Sequence, residues 1–281
     1  MKTILPGDLD PISTNALLCG GVGPRPIALA STLSAAGIRN LAPFSFFNAF
    51  GSNPPMVAFA PNRRARDGSV KHTYLNATAT GEFVIAAVTY AMLQQMNIAS
   101  ADYAQGVDEF VKSGLTPLPA TVVGPALVAE SPFQMECRLH REVPLGDGPG
   151  SGLMLIGEVV AFHVREDCLE HGLLQPNRLD LVGRNGADWY TRASGAALLR
   201  VAKPVGQPMG YDALPGPLKA SEILTGNDLG RLANCDARPG PGRAVPGDPE
   251  DADGFDRAIH EALKREDLTE AWRLAERRLS L

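Results

Sequence analysis

Four cations stand close together in this chain, Arg63, Arg64, Arg66 and Lys71, with Asp67-Gly68 among them and Thr73 just beyond. Guanidinium and ammonium groups crowded into one loop suit a phosphate, because they make charge-assisted hydrogen bonds to its oxygens. Taken alone, the same loop also reads as a solvated, highly charged turn. Lys71-His72-Thr73 opens a helical pattern, and a helix start adds free N–H groups and a positive dipole end. A second set lies upstream. The strand-like run at residues 26–32 ends in the hydroxyls of Ser31 and Thr32, and Asn40-Leu41-Ala42-Pro43-Phe44-Ser45-Phe46-Phe47-Asn48 mixes small polar groups with aromatics. Backbone N–H groups, an amide and a hydroxyl beside aromatic faces are what a flat heteroaromatic ligand with polar edges requires.

The elements that must position these residues are short and sharply punctuated. Residues 26–32 read as a strand, 33–37 as a turn, 38–42 as a second strand, and 56–60 as a third bounded by prolines. A helix over 71–80 ends at Gly81, a position that favours the left-handed conformation. Residues 83–88 form an apolar run of strand length, and 90–113 carry helical material with Met92, Met96 and Ala99 spaced at i, i+4, i+7. Phe133, Met135, Cys137 and Leu139 alternate with Gln134, Glu136, Arg138 and His140, the pattern of a half-buried strand. The Gly-rich stretch 146–152 turns that strand back into the run 153–164. Such a series favours a mainly β fold, a barrel decorated with helices.

From about residue 200 the character changes. Residues 203–217 read as a linker and 237–247 as extended and mobile. The end is helical, with Phe255, Ile259 and Leu263 on one face and Asp267-Leu268-Thr269-Glu270 resembling a capping box. Thr225, Asn227 and Asp228 are of helix-capping type, and the competing reading makes Asn227, Asp228 or Arg231 part of a lid over a substrate. The domains expected are 1–200 and an extension, 201–281.

Composition excludes several classes. With 44% hydrophobic residues in 281, a sizeable core is expected. A net charge of −5 argues against nucleic acid or an anionic membrane as main partner. The four cysteines are scattered without a C-x-x-C, and the five histidines lack a ligand spacing, so no metal site is expected. No apolar run reaches about 18 residues and the start lacks a signal-peptide core, so the chain is expected in the cytoplasm. Neither Gly20-Gly21-Val22-Gly23-Pro24-Arg25-Pro26 nor the 146–152 loop is a dinucleotide fingerprint, and both read as turns.

The strand, the Asn-Leu-Ala-Pro-Phe-Ser run, the basic loop with Lys71-His72-Thr73 and then Thr80-Gly81-Glu82-Phe83 follow in an order that resembles the FMN-binding split-barrel proteins of the flavin reductase family. That pattern usually has Asp where His72 stands. The resemblance covers residues 13–195 and implies noncovalent FMN, a homodimer with flavin sites near its interface, and hydride transfer from NADH or NADPH to flavin N5. It puts Ser31 and Thr32 at the phosphate or ribityl chain. It puts Asn40, Ala42, Pro43, Phe44, Ser45 and Phe46 along the isoalloxazine edge, Asn48 as an anchor of that run, and Arg66, Lys71, His72 and Thr73 at the phosphate. Arg184-Asn185-Gly186-Ala187-Asp188-Trp189-Tyr190 resembles the family's R-x-G-G-x-x-Y segment, which places Arg184 and Tyr190, with His163, on the substrate side. No nucleophile is needed, because the flavin carries the chemistry. Three functions remain open: a reductase passing reduced flavin to a partner monooxygenase or oxygen, a flavoprotein retaining FMN and reducing a small molecule covered by the extension, and a flavin-binding protein without turnover.

Overall fold

The first strand opens on an apolar run because both of its faces are covered. In the computed structural model, which describes residues 1–204, 206–237 and 242–281, this strand is β1 (Ala28–Leu33). Ala28 and Ala30 face a cluster with Val57, Phe59, Phe83 and Ile85. Ile27 and Leu29 join Leu41, Met92, Met96 and Phe110 on the other side. Strands β2 (Arg39–Phe44), β3 (Phe47–Ser52), β4 (Pro55–Phe59), β5 (Glu82–Ala87), β6 (Phe133–Pro144) and β7 (Leu153–Val164) complete an antiparallel sheet in the order β2-β1-β5-β6-β7-β4-β3. Its two edges, β2 and β3, are consecutive in the chain with only Ser45 and Phe46 between them. The sheet must therefore curl until its edges meet, and the result is the expected split barrel. Phe59 links Phe44 and Phe83 through ring contacts of 5.4 and 5.3 Å in its interior. β7 crosses Phe83 at Gly157, where a Cβ would lie 2.2 Å from the ring, so only glycine fits.

Helix α2 (His72–Thr80) ends at Gly81 with φ of 74°, as the sequence leads one to expect. Met92, Met96 and Ala99 are buried, the last two on α3 (Leu93–Ala99). The helical stretch expected over 90–113 is broken, however. It stops at Ala99 and resumes only at α4 (Glu109–Ser113), where the Asp108 carboxylate accepts from the Phe110 N–H at 2.9 Å.

Three other expectations are corrected. The strand expected over 38–42 runs on through Pro43 and Phe44 as β2, paired residue by residue with β1. The polar face of β6 is not solvent-exposed at its start, since Gln134 and Glu136 are buried. The loop at 121–128 covers them and satisfies them: Glu136 accepts from the N–H groups of Thr121, Val122 and Val123, and Gln134 exchanges bonds with Val128. A helix that the sequence reading did not include, α1 (Pro11–Gly21), precedes β1; Asp10 caps it, accepting from Ile12 and Ser13 N–H groups at 2.8 and 2.9 Å.

The chain divides into two compact units, Met1–Leu199 and Arg200–Leu281. A hairpin of β8 (Leu181–Arg184) and β9 (Tyr190–Ala193) closes the first. The second has its own core, in which α5 (Gly226–Ala233), α6 (Ala252–Lys264) and α7 (Leu268–Arg278) bury Leu232, Phe255, Ile259, Leu263, Trp272 and Ala275. Leu214 belongs to that core, so the stretch expected as linker is partly structural. Of the segment expected to be mobile, residues 238–241 lie outside the described residues. The next ones are held on α7: a Cβ at Gly242 would come within 2.2 Å of the Arg273 carbonyl oxygen, and Arg273 donates to the Arg243 carbonyl at 2.9 Å. Among the described residues no helix is long and apolar enough to cross a membrane, and no group of His, Cys, Asp or Glu is arranged to hold a metal.

Candidate functional site

The basic loop, the start of α2 and the segment after α3 enclose a cavity of about 390 Å3. Asn40, Ala42, Pro43 and Phe44 from β2 form one wall, and Arg63, Arg64, Arg66, Lys71, His72 and Thr73 another. Ala99 to Tyr103 close the third side. Two of its cations are already answered. Asp102 reaches Arg64 and Arg66, each at 2.7 Å, and Arg66 also meets Asp67 at 3.1 Å. The Ser69 hydroxyl and N–H hold the Asp67 carboxyl down to about 2.

The other two cations are not. Arg63 Nε is buried without a hydrogen-bond partner. Lys71 makes no ion pair among the described residues, and its Nζ lies 5.2 Å from the centre of the Phe44 ring. Burial, and after it the charge of Arg64, pushes the Lys71 pKa down. The Tyr74 N–H donates to the Lys71 carbonyl at 3.1 Å, and with no side-chain cap on α2 the His72 and Thr73 amides remain open to an acceptor. An orphaned guanidinium nitrogen, a desolvated ammonium and a free helix start fit a phosphate group.

A second cavity, of about 1010 Å3, continues from the first and shares Pro43, Phe44 and Ser100 with it. Its walls are Ser45 and Phe46, the side of α1 around Asn15 and Cys19, and the β8–β9 hairpin with Arg184, Trp189 and Tyr190. Arg184 bonds the Tyr190 hydroxyl and lies 4.6 Å over its ring. Ala187 sits with φ of 49° where the R-x-G-G-x-x-Y pattern has its second glycine. Gly186 is required for another reason, since a Cβ there would come within 2.9 Å of Gly20. Thus one end of the combined cleft is cationic, and the other offers aromatic faces with polar edges.

The remaining predicted residues stand outside both cavities or behind their walls. Ser31 and Thr32 are fully buried in β1 and line neither cavity. Thr32 acts through Asn40: its hydroxyl donates to Asn40 Oδ1 at 3.2 Å, as does Thr73 at 2.8 Å. Asn48 is exposed on β3, its side chain accepting from the Ala49 N–H at 2.8 Å. His163 also lies elsewhere, with its Nε2 2.6 Å from the buried Glu136 carboxylate.

Three residues that the sequence reading passed over organise the site. Glu109 accepts from Asn40 Nδ2 at 2.9 Å and from the Leu41 N–H at 3.0 Å, pinning β2 to α4. Arg25 is buried and joins three elements, donating to Cys19 and Val22 carbonyls on α1 and its cap, to Ser45 Oγ at 3.3 Å, and to the Asn185 carbonyl at 3.1 Å. Asp102 is the third. An acidic residue on a separate loop carries no sequence signal of its own. For Arg25, a lone charge between two prolines in an otherwise apolar stretch was the available hint.

Comparison with known proteins agrees with this geometry. Residues 21–179 match the Flavin reductase like domain, a span that contains every strand of the curled sheet. An uncharacterized protein of Halalkalibacterium halodurans is 35% identical over 176 residues, covering 62% of this chain and 84% of that protein. Nitrilotriacetate monooxygenase component B from Bacillus cereus shares the fold with a TM-score of 0.66 at 32% identity, over 71% of this chain and 98% of that one. The 2-nitrobenzoate 2-nitroreductase of Pseudomonas fluorescens does so with a TM-score of 0.63 at 27% identity, over 73% and 99%. The chain therefore belongs to the flavin reductase-like family, built on a split barrel that binds flavin.

Proposed function

We propose that this protein is an NAD(P)H-dependent flavin reductase that binds FMN in the combined cleft and hands on its electrons. The observation that carries the reading is the polarity of the cleft, cationic around Lys71 and Arg63 and aromatic around Phe46 and Tyr190, with Pro43 and Phe44 common to both parts. Lys71, Arg63 and the first amides of α2 hold the phosphate. Residues 42–46 line the ring system, held by Glu109, which accepts from the preceding Leu41 N–H, and by Arg25, which donates to Ser45 Oγ. When bound, the flavin supplies the hydride acceptor, and no side chain needs to act as nucleophile. Arg184 and Tyr190 face the open part of the second cavity, on the side left for the nicotinamide or another substrate. The monooxygenase component among the structural neighbours supports transfer of reduced flavin to a partner monooxygenase. Assembly as a homodimer through the barrel is supported by an apolar hollow of about 510 Å3 lined by Phe47, Met56, Phe133, Phe162 and Val182.

A second reading, in which FMN is retained and a bound small molecule is reduced, is favoured by the size of the second cavity. It is the larger of the two. The nitroreductase among the neighbours acts in that sense on its own substrate. Anaerobic mixing of the FMN-loaded protein with NADH and, separately, NADPH tests the proposal. Bleaching of the flavin absorbance within seconds is expected with at least one donor. Loaded protein that neither donor bleaches would leave a flavin-binding protein without turnover.

A further inference from the structure

The phosphate end of the cleft contains two carboxylates; Glu109 is buried and spent on Asn40 and the Leu41 N–H, which leaves Asp102 as the anion paired with the cations. Asp102, in the segment between α3 and α4, lies within 2.7 Å of both Arg64 and Arg66, and its carboxylate lines the same cavity. The Arg64 Nε and one terminal nitrogen both donate to a single Asp102 oxygen, at 3.0 and 2.7 Å. The fork geometry by which a guanidinium would grip a phosphate is therefore directed at a carboxylate. The other Arg64 nitrogen is also spent, on Ser69 Oγ at 3.2 Å and the Val70 carbonyl at 2.9 Å. Arg63 Nε and Lys71 are left over. The cavity has two classes of cation, one neutralised in place and one available.

We propose that Asp102 is an internal counter-anion that weakens the hold on a phosphate-bearing flavin, and so keeps FMN exchangeable rather than resident. The inference rests on the placement of the FMN phosphate in this cavity. A phosphate entering beside Lys71 meets the fixed negative charge of Asp102 and finds two of the guanidinium groups engaged. Each like charge several ångströms away at surface dielectric changes affinity by about three- to tenfold. A protein that passes reduced flavin to another enzyme needs such release, whereas one that retains its flavin does not.

The test is equilibrium binding of FMN and of riboflavin, which lacks the phosphate, to the full-length protein and to Asp102→Asn. Asp167→Asn serves as control, removing an exposed carboxylate from its pairing with Arg165 outside the cleft. Asp102→Asn is expected to bind FMN about three- to tenfold more tightly than the control and to release it correspondingly more slowly, with riboflavin affinity unchanged. Asp102→Ala, which removes the carboxylate without leaving an amide, must behave the same way. Unchanged or weaker FMN binding in both variants, or an equal gain for riboflavin, overturns the role of Asp102. If the unaltered protein binds FMN no better than riboflavin, it is the phosphate placement itself that falls.

Discussion

The arginines of α7 and those of the basic loop carry similar charge and do different things. Arg273 on α7 is held by Glu270 one turn back, at 2.6 and 2.7 Å, and by Asp248, at 2.8 and 3.0 Å. Arg278 pairs with Asp256, which is only 2% exposed, and Arg277 lies 3.8 Å from Asp248. These guanidinium groups fasten the second unit together. In the basic loop Asp102 answers Arg64 and Arg66, while Arg63, its Nε unpartnered like that of Arg277, has no carboxylate beside it and Lys71 is unpaired among the described residues. The number of cations in a segment is thus a poor guide to ligand binding. What matters is the positive charge left after the protein's own carboxylates are counted, and how far that remainder is withdrawn from water.

The sharpest way to break this contrast is to swap the expected consequences. Asp256→Ala leaves the Arg278 guanidinium nearly buried without its partner, at a cost of about 3–5 kcal/mol. Denaturant unfolding of the second unit should show the loss, with FMN affinity unchanged. Lys71→Ala should do the reverse. FMN binding should weaken by about ten- to a hundredfold, the worth of one charge-assisted bond, while riboflavin barely responds. Unfolding should not move to lower denaturant, because a desolvated ammonium has been removed. Equal losses for FMN and riboflavin would refute the phosphate placement.

A smaller effect follows from the depressed pKa of Lys71, caused first by burial and then by Arg64. FMN binds the charged ammonium, so affinity is full below the folded-state pKa and falls as pH rises through it. That fall should begin at lower pH than an ordinary lysine would give. The stability of the ligand-free protein should move the opposite way, because across that window the unfolded chain binds more protons. Lys71→Arg, which stays charged, should flatten the binding profile. A profile unaltered by Lys71→Arg would assign the titration to another group.

Much of the site was legible because its residues are near neighbours in sequence. The Asn40-to-Phe46 run, Lys71, His72 and Thr73 fall on shared cavity walls, and Arg184 and Tyr190 join them through the hairpin. Six of the seven sheet strands could be read from periodicity and prolines, but β3 was not, and the curl from Phe44 to Phe47 follows only once two edge strands stand two residues apart. What could not be read was carried by tertiary pairing. Glu136 looks like a solvent-facing strand residue until the 121–123 amides close on it. Ser31 and Thr32 look like ligand-facing hydroxyls, but the sheet is covered on both faces where they stand. Glu109 and Asp102 act across separations of about 40 to 70 residues, on partners that no local pattern connects to them. The helix α1 was within reach, since Asp10-Pro11 is a capping residue followed by a proline in the first turn.

The least effect is expected from removing the second unit. A chain of residues 1–199 retains the whole curled sheet, both cavities and the apolar hollow, so it should remain a dimer and bind flavin. A folded but monomeric, flavin-free product would overturn the proposed dimer. The proposal that residues 201–281 cover the flavin drew on the polar cluster at Thr225, Asn227 and Asp228. In the folded unit Thr225 and Asp228 form a reciprocal capping box on α5, and Asp228 also takes the ring of His260 at 2.9 Å. Arg231, the remaining charged candidate there, donates to the Leu263 carbonyl. These side chains are spent within their own unit, which leaves a lid with only the backbone and Asn227 to offer a substrate. Reduction of bulky acceptors such as ferric chelates, and flavin release, should accordingly change by less than about twofold on truncation, close to the noise of a rate comparison. A tenfold acceleration of both would restore the lid, and with it the reading in which the second unit shapes a substrate site.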